Sequence, residues 1–214
     1  MKMSTLDYTK ASFMLSVAQL EQLPEDQGIE VAFIGHSNVG KSSVLNKLTA
    51  NSKLARTSKT PGRTQHINLF MLDEDRRLAD LPGYGYAKVP LAVKEQWQKL
   101  LGDYLTYRRC LRGVVLVMDI RHPLKKFDLE MLAWGTRSQL SVHVLLNKAD
   151  KLTQTIAAKT LRSVRETVES YPGDISVQTF SAKKGTGGKG LQEKLNTWFD
   201  VDKDQEEEDE EENG

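Results

Sequence analysis

Eight consecutive residues, Gly35-His36-Ser37-Asn38-Val39-Gly40-Lys41-Ser42, constrain this chain more than any other feature of its 214 residues. They have the Gly-x-x-x-x-Gly-Lys-Ser spacing of a phosphate-binding loop. The context agrees: an apolar run at 29–34 reads as a buried strand before them, and residues 41–50 read as a helix after them. The glycines let the backbone curl so that successive N–H groups point inward at an anion. The helix N-terminus adds a favourable potential for phosphate. Lys41 is expected to reach the β and γ phosphates and the Ser42 hydroxyl to ligate Mg²⁺. All eight residues are candidate nucleotide contacts.

Strand and helix signals alternate along the rest of the chain. Strands are expected at 67–72, 77–80, 113–118, 142–146 and 175–180, with the first two forming a hairpin through Asp73-Glu74-Asp75. Helices are expected at 89–109, 127–139, 156–170 and 191–199. This order predicts an open, mostly parallel α/β sheet in one domain, with ligands at the carboxyl ends of the strands. Residues 1–28 read as an N-terminal extension packed on a domain spanning 29–199, and 200–214 as a disordered acidic tail. The polar stretch at 51–66 is a long loop, and long loops inside compact domains usually serve function.

Two further motifs fall at strand ends. Asp80-Leu81-Pro82-Gly83 offers a carboxylate for Mg²⁺ and a glycine N–H for a γ-phosphate. Asn147-Lys148-Ala149-Asp150 follows the strand at 142–146. The Asp150 carboxylate can accept from guanine N1–H and the 2-amino group; adenine lacks that donor pair, so the wrong base leaves a carboxylate unpaired. The Asn147 amide can face the O6/N7 side and the Lys148 stem can lie over the ring. After the last strand, Phe180-Ser181-Ala182 can bring a backbone N–H near Ala182 to guanine O6. Guanine nucleotide, GTP or GDP, with Mg²⁺ is the expected ligand set.

With these motifs in order, the chain resembles the translation-factor-like P-loop GTPases. The run 33–43, then Lys59-Thr60-Pro61-Gly62-Arg63-Thr64-Gln65, then Asp80-Leu81-Pro82-Gly83-Tyr84-Gly85-Tyr86-Ala87, then Asp119-Ile120-Arg121-His122, is similar to the EngB (YihA/YsxC) family. His36 stands where an arginine is commoner in that family. The resemblance implies an α/β fold with a three-layer, mostly parallel sheet and one antiparallel strand, a P-loop NTPase of the Ras-like G-domain type. It also implies a cytoplasmic bacterial GTPase needed for assembly of the large ribosomal subunit, and so for normal growth, division and septation. Its implied partners are a large-subunit precursor and rRNA.

A GTPase needs a threonine that joins Mg²⁺ only when the γ-phosphate is present. Position just before the strand at 67–72 favours Thr64 over Thr57 and Thr60, and the family pattern Gly62-Arg63-Thr64-Gln65-His66 agrees. Ser42, Thr64 and Asp80 are thus the expected metal ligands. Arg63 reads either as a phosphate-facing charge or as a solvated loop residue. Tyr84 stands where many relatives carry a water-orienting glutamine, and a phenol cannot present the paired amide donor and acceptor. Slow hydrolysis by the isolated protein is the consequence. In some relatives an asparagine at the position of Asn38 helps hold K⁺ against the phosphates; the other reading is an asparagine suited to the loop's backbone. Lys41, Thr64 and Asn38 are the expected catalytic residues.

Charge adds a split. Residues 200–214 carry ten of the 29 acids and one of the 30 Lys and Arg, net −9, which leaves +10 on the rest. A basic body suits a polyanion, and an acidic tail can compete for the same surface. Lys94, Lys99, Arg108, Arg109, Arg112, Arg121, His122, Lys125 and Lys126, with Lys183, Lys184 and Lys189, are the candidate footprint. The single Cys110 excludes an internal disulfide. No signal peptide or membrane span is expected, and the protein reads as a monomer. Two rivals stand beside the assembly GTPase: a regulatory GTP/GDP switch on a protein partner, and a P-loop kinase or ATPase, against which Asn147 and Asp150 argue.

Overall fold

The structure is a computed structural model describing residues 6–55, 66–84 and 91–201, with the backbone alone at 91–94 and 96–98. Seven strands form one sheet: β1 (Ser12–Val17), β2 (Ile29–Gly35), β3 (Ile67–Met71), β4 (Arg76–Asp80), β5 (Leu111–Asp119), β6 (Ser141–Asn147) and β7 (Ile175–Thr179), in the order β1-β3-β4-β2-β5-β6-β7. β3 runs antiparallel to both its neighbours, and every other pairing is parallel. The expected mostly parallel sheet with one antiparallel strand is therefore present, hairpin included.

Five helices cover the sheet: α1 (Lys41–Leu48), α2 (Leu91–Tyr107), α3 (Lys126–Arg137), α4 (Gln154–Val168) and α5 (Gly188–Trp198). β5 shows why there are three layers. Its side chains alternate across the sheet. Val114, Leu116 and Met118 face a core that includes Tyr104 of α2, Leu132 of α3 and Val164 of α4. Val115 and Val117 face the other core, with Val44 and Leu45 of α1 and Leu191, Leu195 and Trp198 of α5. A strand apolar on both faces needs cover on both, and helical crossovers supply it. Among the described residues no helix is long and apolar enough to cross a membrane.

The extra element is β1, which sequence reading treated as lead-in. It pairs with β3 from Ser12↔Met71 to Val17↔Ile67, with an irregularity between Phe13 and Leu15. As an edge strand it buries only Val17 fully, so the alternation that announces a half-buried strand is missing. Just before it, the Tyr8 hydroxyl donates to Asn196 Oδ1 of α5 at 2.8 Å.

Arg108 needs a correction. Expected on an exposed basic face, its side chain is 6% exposed and grips the fully buried Glu30, through Nε to Oε2 at 3.1 Å and Nη2 to Oε1 at 2.5 Å. Arg77 and the Tyr104 hydroxyl complete the carboxylate's shell. A buried carboxylate at a strand start requires such donors, so Arg108 is structural.

Candidate functional site

β2 delivers the chain into the phosphate-binding loop at the carboxyl edge of the sheet. Asn38 and Gly40 both have positive φ, 64° and 92°, and Gly40 is the residue before α1. Left-handed residues alternating with ordinary ones turn successive amides toward one side. Among the described residues, no backbone carbonyl outside α1 accepts from the amides of Asn38, Gly40, Lys41 or Ser42. The loop is also close to its surroundings. A Cβ on Gly35 would lie 2.4 Å from the Val117 carbonyl oxygen, and one on Gly40 2.6 Å from Asn147 Nδ2. Both glycines are therefore required by space, and Gly40 by backbone conformation too.

Asp80 closes β4 in register with Phe33 of β2, which puts its carboxylate beside the loop. It is 3% exposed, and the ammonium of the buried Lys41 pairs with it. Phosphate at Lys41 and a cation at Asp80 would each supply the charge that the other residue now provides. A hydroxyl from Ser42 and a carboxylate from Asp80 are hard oxygen donors that suit Mg²⁺. Leu81, Pro82 and Gly83 follow as buried residues, with the Leu81 amide donating to the Phe33 carbonyl at 3.0 Å.

The Tyr84 side chain packs between His36 of the loop and the start of α3. Its ring stacks on Phe127 with centroids 4.2 Å apart and meets His36 edge-on at 5.8 Å. Its hydroxyl donates to Asp128 in the first turn of α3, and Asp128 also accepts from the Lys125 amide at 2.9 Å. Burial pushes the Asp128 carboxyl above its ordinary range, against those hydrogen bonds. Its own backbone binds the loop: Ser37 N donates to Tyr84 O at 2.8 Å and Tyr84 N to Gly35 O at 3.3 Å. Tyr84 is a packed residue with its polar end engaged.

β6 carries the third motif to the same edge. Asn147, 2% exposed, uses both ends of its amide inside the protein: Nδ2 donates to the Val39 carbonyl at 2.9 Å, and Oδ1 accepts from Ala182 N at 3.2 Å. It thus fastens three loops together. Lys148 is left-handed at φ 67°, and its ammonium lies 2.5 Å from the Asn38 carbonyl and 2.9 Å from Asp119 Oδ2. Ala149 N donates to Phe180 O at 3.0 Å. The Asp150 carboxylate accepts from the Ser181 hydroxyl at 2.6 Å, and that bond draws its pKa below the ordinary value. Ser181 Oγ in turn accepts from Lys184 N at 3.1 Å. The fold therefore brings residues 35–42, 80–83, 147–150 and 180–182 to one edge of the sheet.

Gly62, Arg63, Thr64 and Gln65, with the rival Thr57 and Thr60, fall outside the described residues. His66 precedes β3, exposed, with Nδ1 3.3 Å from Ser16 Oγ of β1. Sequence reading missed the surroundings of Asp119. Its carboxylate meets Arg121 and Lys148, and although burial opposes it, hydrogen bonds from both hold its pKa well below the carboxylate range. An acid and a base two residues apart at a strand end was the only signal.

The chain is similar to several known proteins. The family described as "50S ribosome-binding GTPase" matches residues 30–148. A probable GTP-binding protein EngB of Mannheimia succiniciproducens is 54% identical over 194 residues, 91% of this chain and 95% of the relative. That of Escherichia coli O139:H28 is 53% identical over 197 residues, 92% and 94% of the two chains. Among solved structures, a crystal structure of a probable GTP-binding protein EngB superposes with a TM-score of 0.65 at 22% identity, covering 79% of this chain and 98% of that one. Translation elongation factor SelB of Methanococcus maripaludis, in complex with the GTP analogue GppNHp, gives 0.59 at 17% identity, covering 81% and 34%. At those identities the two structures bear on the fold alone.

Proposed function

The chain belongs to the EngB family of GTP-binding proteins, and from that premise we propose that it is a Mg²⁺-dependent, slowly hydrolysing GTP/GDP switch in assembly of the large ribosomal subunit. The observation that carries the nucleotide reading is the bond from Asn147 Nδ2 to the Val39 carbonyl at 2.9 Å, which fastens the base-reading loop to the phosphate-binding loop. A mononucleotide has its base and phosphates at opposite ends, and two loops held in fixed relation match that shape.

In this reading the amides of Asn38, Gly40, Lys41 and Ser42 and the Lys41 ammonium take the phosphates. Ser42 and Asp80, with Thr64, would ligate Mg²⁺, which would supply positive charge to neutralise the phosphates. Asp150 reads the guanine N1 and 2-amino donors, kept in place by Ser181. The Ala182 amide, which also donates to Asn147, is assigned to O6 recognition. Asn38 is assigned to K⁺, so hydrolysis is expected to be faster in KCl than in NaCl. The ribosomal part is supported by the description of the matching family and by the basic body of the chain.

Isothermal titration with GDP, a non-hydrolysable GTP analogue and ADP tests the ligand. Tight binding of both guanine nucleotides and none of ADP is expected, and equal binding of ADP would refute the assignment of Asp150. Co-sedimentation with large ribosomal subunits tests the partner: retention with the GTP analogue and release with GDP are expected, and absence from the pellet in both states would leave a switch on a protein partner. Because Tyr84 presents no amide to a water, steady-state turnover of the isolated chain should fall well below the common enzyme range of roughly 1–1,000 per second.

A further inference from the structure

Asp119 ends β5 in register with Asn147 of β6. Its carboxylate gathers donors from two directions. Oδ1 accepts from Arg121 N at 3.1 Å and Nε at 2.9 Å; Oδ2 accepts from Arg121 Nη2 at 2.6 Å and from Lys148 Nζ at 2.9 Å. The Lys148 ammonium therefore has two acceptors on two different elements, Asp119 on β5 and the Asn38 carbonyl in the phosphate-binding loop. The strand ends themselves do not depend on this carboxylate, because the Ile120 amide already donates to the Asn147 carbonyl at 2.9 Å. Its side chain is 10% exposed, and the partly exposed Arg121 supplies a second positive partner, so Asp119 stays ionised while it faces Lys148.

We propose that Asp119 is a positioning residue for Lys148: oriented by Arg121, it holds the ammonium against the Asn38 carbonyl, so that the lysine stem is set beside the base before nucleotide arrives. A free lysine stem samples many rotamers, and ordering it on binding opposes affinity. Fixing both ends of the side chain beforehand removes that opposition. The proposal rests on the guanine-nucleotide reading of the site.

The test is dissociation of a fluorescent N-methylanthraniloyl-GDP from the full chain, in a double-mutant cycle of Asp119→Asn and Lys148→Met. Asp119→Asn removes the charge and keeps the shape; Lys148→Met keeps an apolar stem and removes the ammonium. Loss of one charge-assisted hydrogen bond should speed dissociation about tenfold and leave association within about twofold. If Asp119 acts through Lys148, the same substitution in the Lys148→Met background changes dissociation by less than about twofold. Equal acceleration in both backgrounds would show a general structural role and overturn the proposal, as would no acceleration in the first. Should Asp119→Asn fail to fold, Arg121→Gln on the surface carries the test: an intermediate acceleration, about threefold, that vanishes with Lys148→Met is expected, and an unchanged rate overturns the orienting role. A parent chain that binds no guanine nucleotide sinks the site reading itself. Tight binding by the parent with unaltered dissociation from Asp119→Asn removes only the positioning role.

Discussion

His143 on β6 is 4% exposed, with Nδ1 2.8 Å from Ser176 Oγ and its ring edge-on to Trp198 at 6.5 Å. Burial lowers its pKa from 6.5 to about 4, with Lys194 acting in the same direction and Gln178 and Asp174 against it. The unfolded chain keeps the ordinary imidazole value, so between those two values it binds more protons than the folded state. The contribution is then fully present above pH 6.5 and is lost as the pH falls toward 4. A shift of this size is worth roughly 3 kcal/mol. Urea unfolding at pH 7.5 and 4.5 checks it: His143→Gln should lose much less stability on acidification than the parent, and parallel losses in both would reject His143 as the cause.

At the scale of elements, the contact of α5 with β5 turns on one missing side chain. A Cβ on Gly113 would sit 2.7–2.8 Å from ring atoms of Trp198. That glycine lets the indole lie flat on the strand, with the Lys194 ammonium 5.1 Å from its ring. Gly113→Ala forces α5 outward or Trp198 out of its place, and overpacking of this kind costs about 1–3 kcal/mol. Chemical denaturation should show that loss, and because Trp198 is at the end of α5 far from the base-reading loop, GDP affinity should change by less than about twofold. The junction of β4 with α3 follows similar logic through polar contacts. Tyr84, reached just after Asp80, is tied to the start of α3 by Phe127 and Asp128.

At the scale of the whole molecule, charge and topology separate two ends. α5 returns the chain to the starting ends of the strands, where Arg76 Nε donates to Phe199 O at 3.0 Å and Arg112 lies 3.5 Å from Asp200. Asp200, the first acid of the run, therefore lies at the end opposite the phosphate-binding loop. Residues 202–214 hold nine acids and one lysine, so deleting them takes the net charge from +1 to +9. The truncated chain should elute from heparin or immobilised rRNA at higher salt, with a steeper salt dependence, and bind GDP as before. Identical elution of the two forms would dismiss the tail as a competitor for polyanions.

Local chemistry made most of the site legible from sequence. Gly35, Gly40 and Lys41 stand in a spacing that has one use between a strand and a helix, and Asn147 to Asp150 carry their meaning at a strand end. Apolar runs such as 113–118 read as strands because a parallel sheet buries both their faces. What sequence could not assign were outcomes of three-dimensional neighbours. β1 was hidden because an edge strand needs no regular burial pattern. Arg108 read as a surface charge until Glu30, 78 positions away in sequence, appeared beneath it. The bonds of Asn147 to Val39 and of Tyr84 to Asp128 depend on loops that only folding brings together. Sequence alone determined the ligand class and the order of the sheet's motifs, since both follow from short runs of backbone and side-chain chemistry. Tertiary structure decided which polar groups hold one another, because a hydrogen bond depends on distance and direction in space, not on separation along the chain.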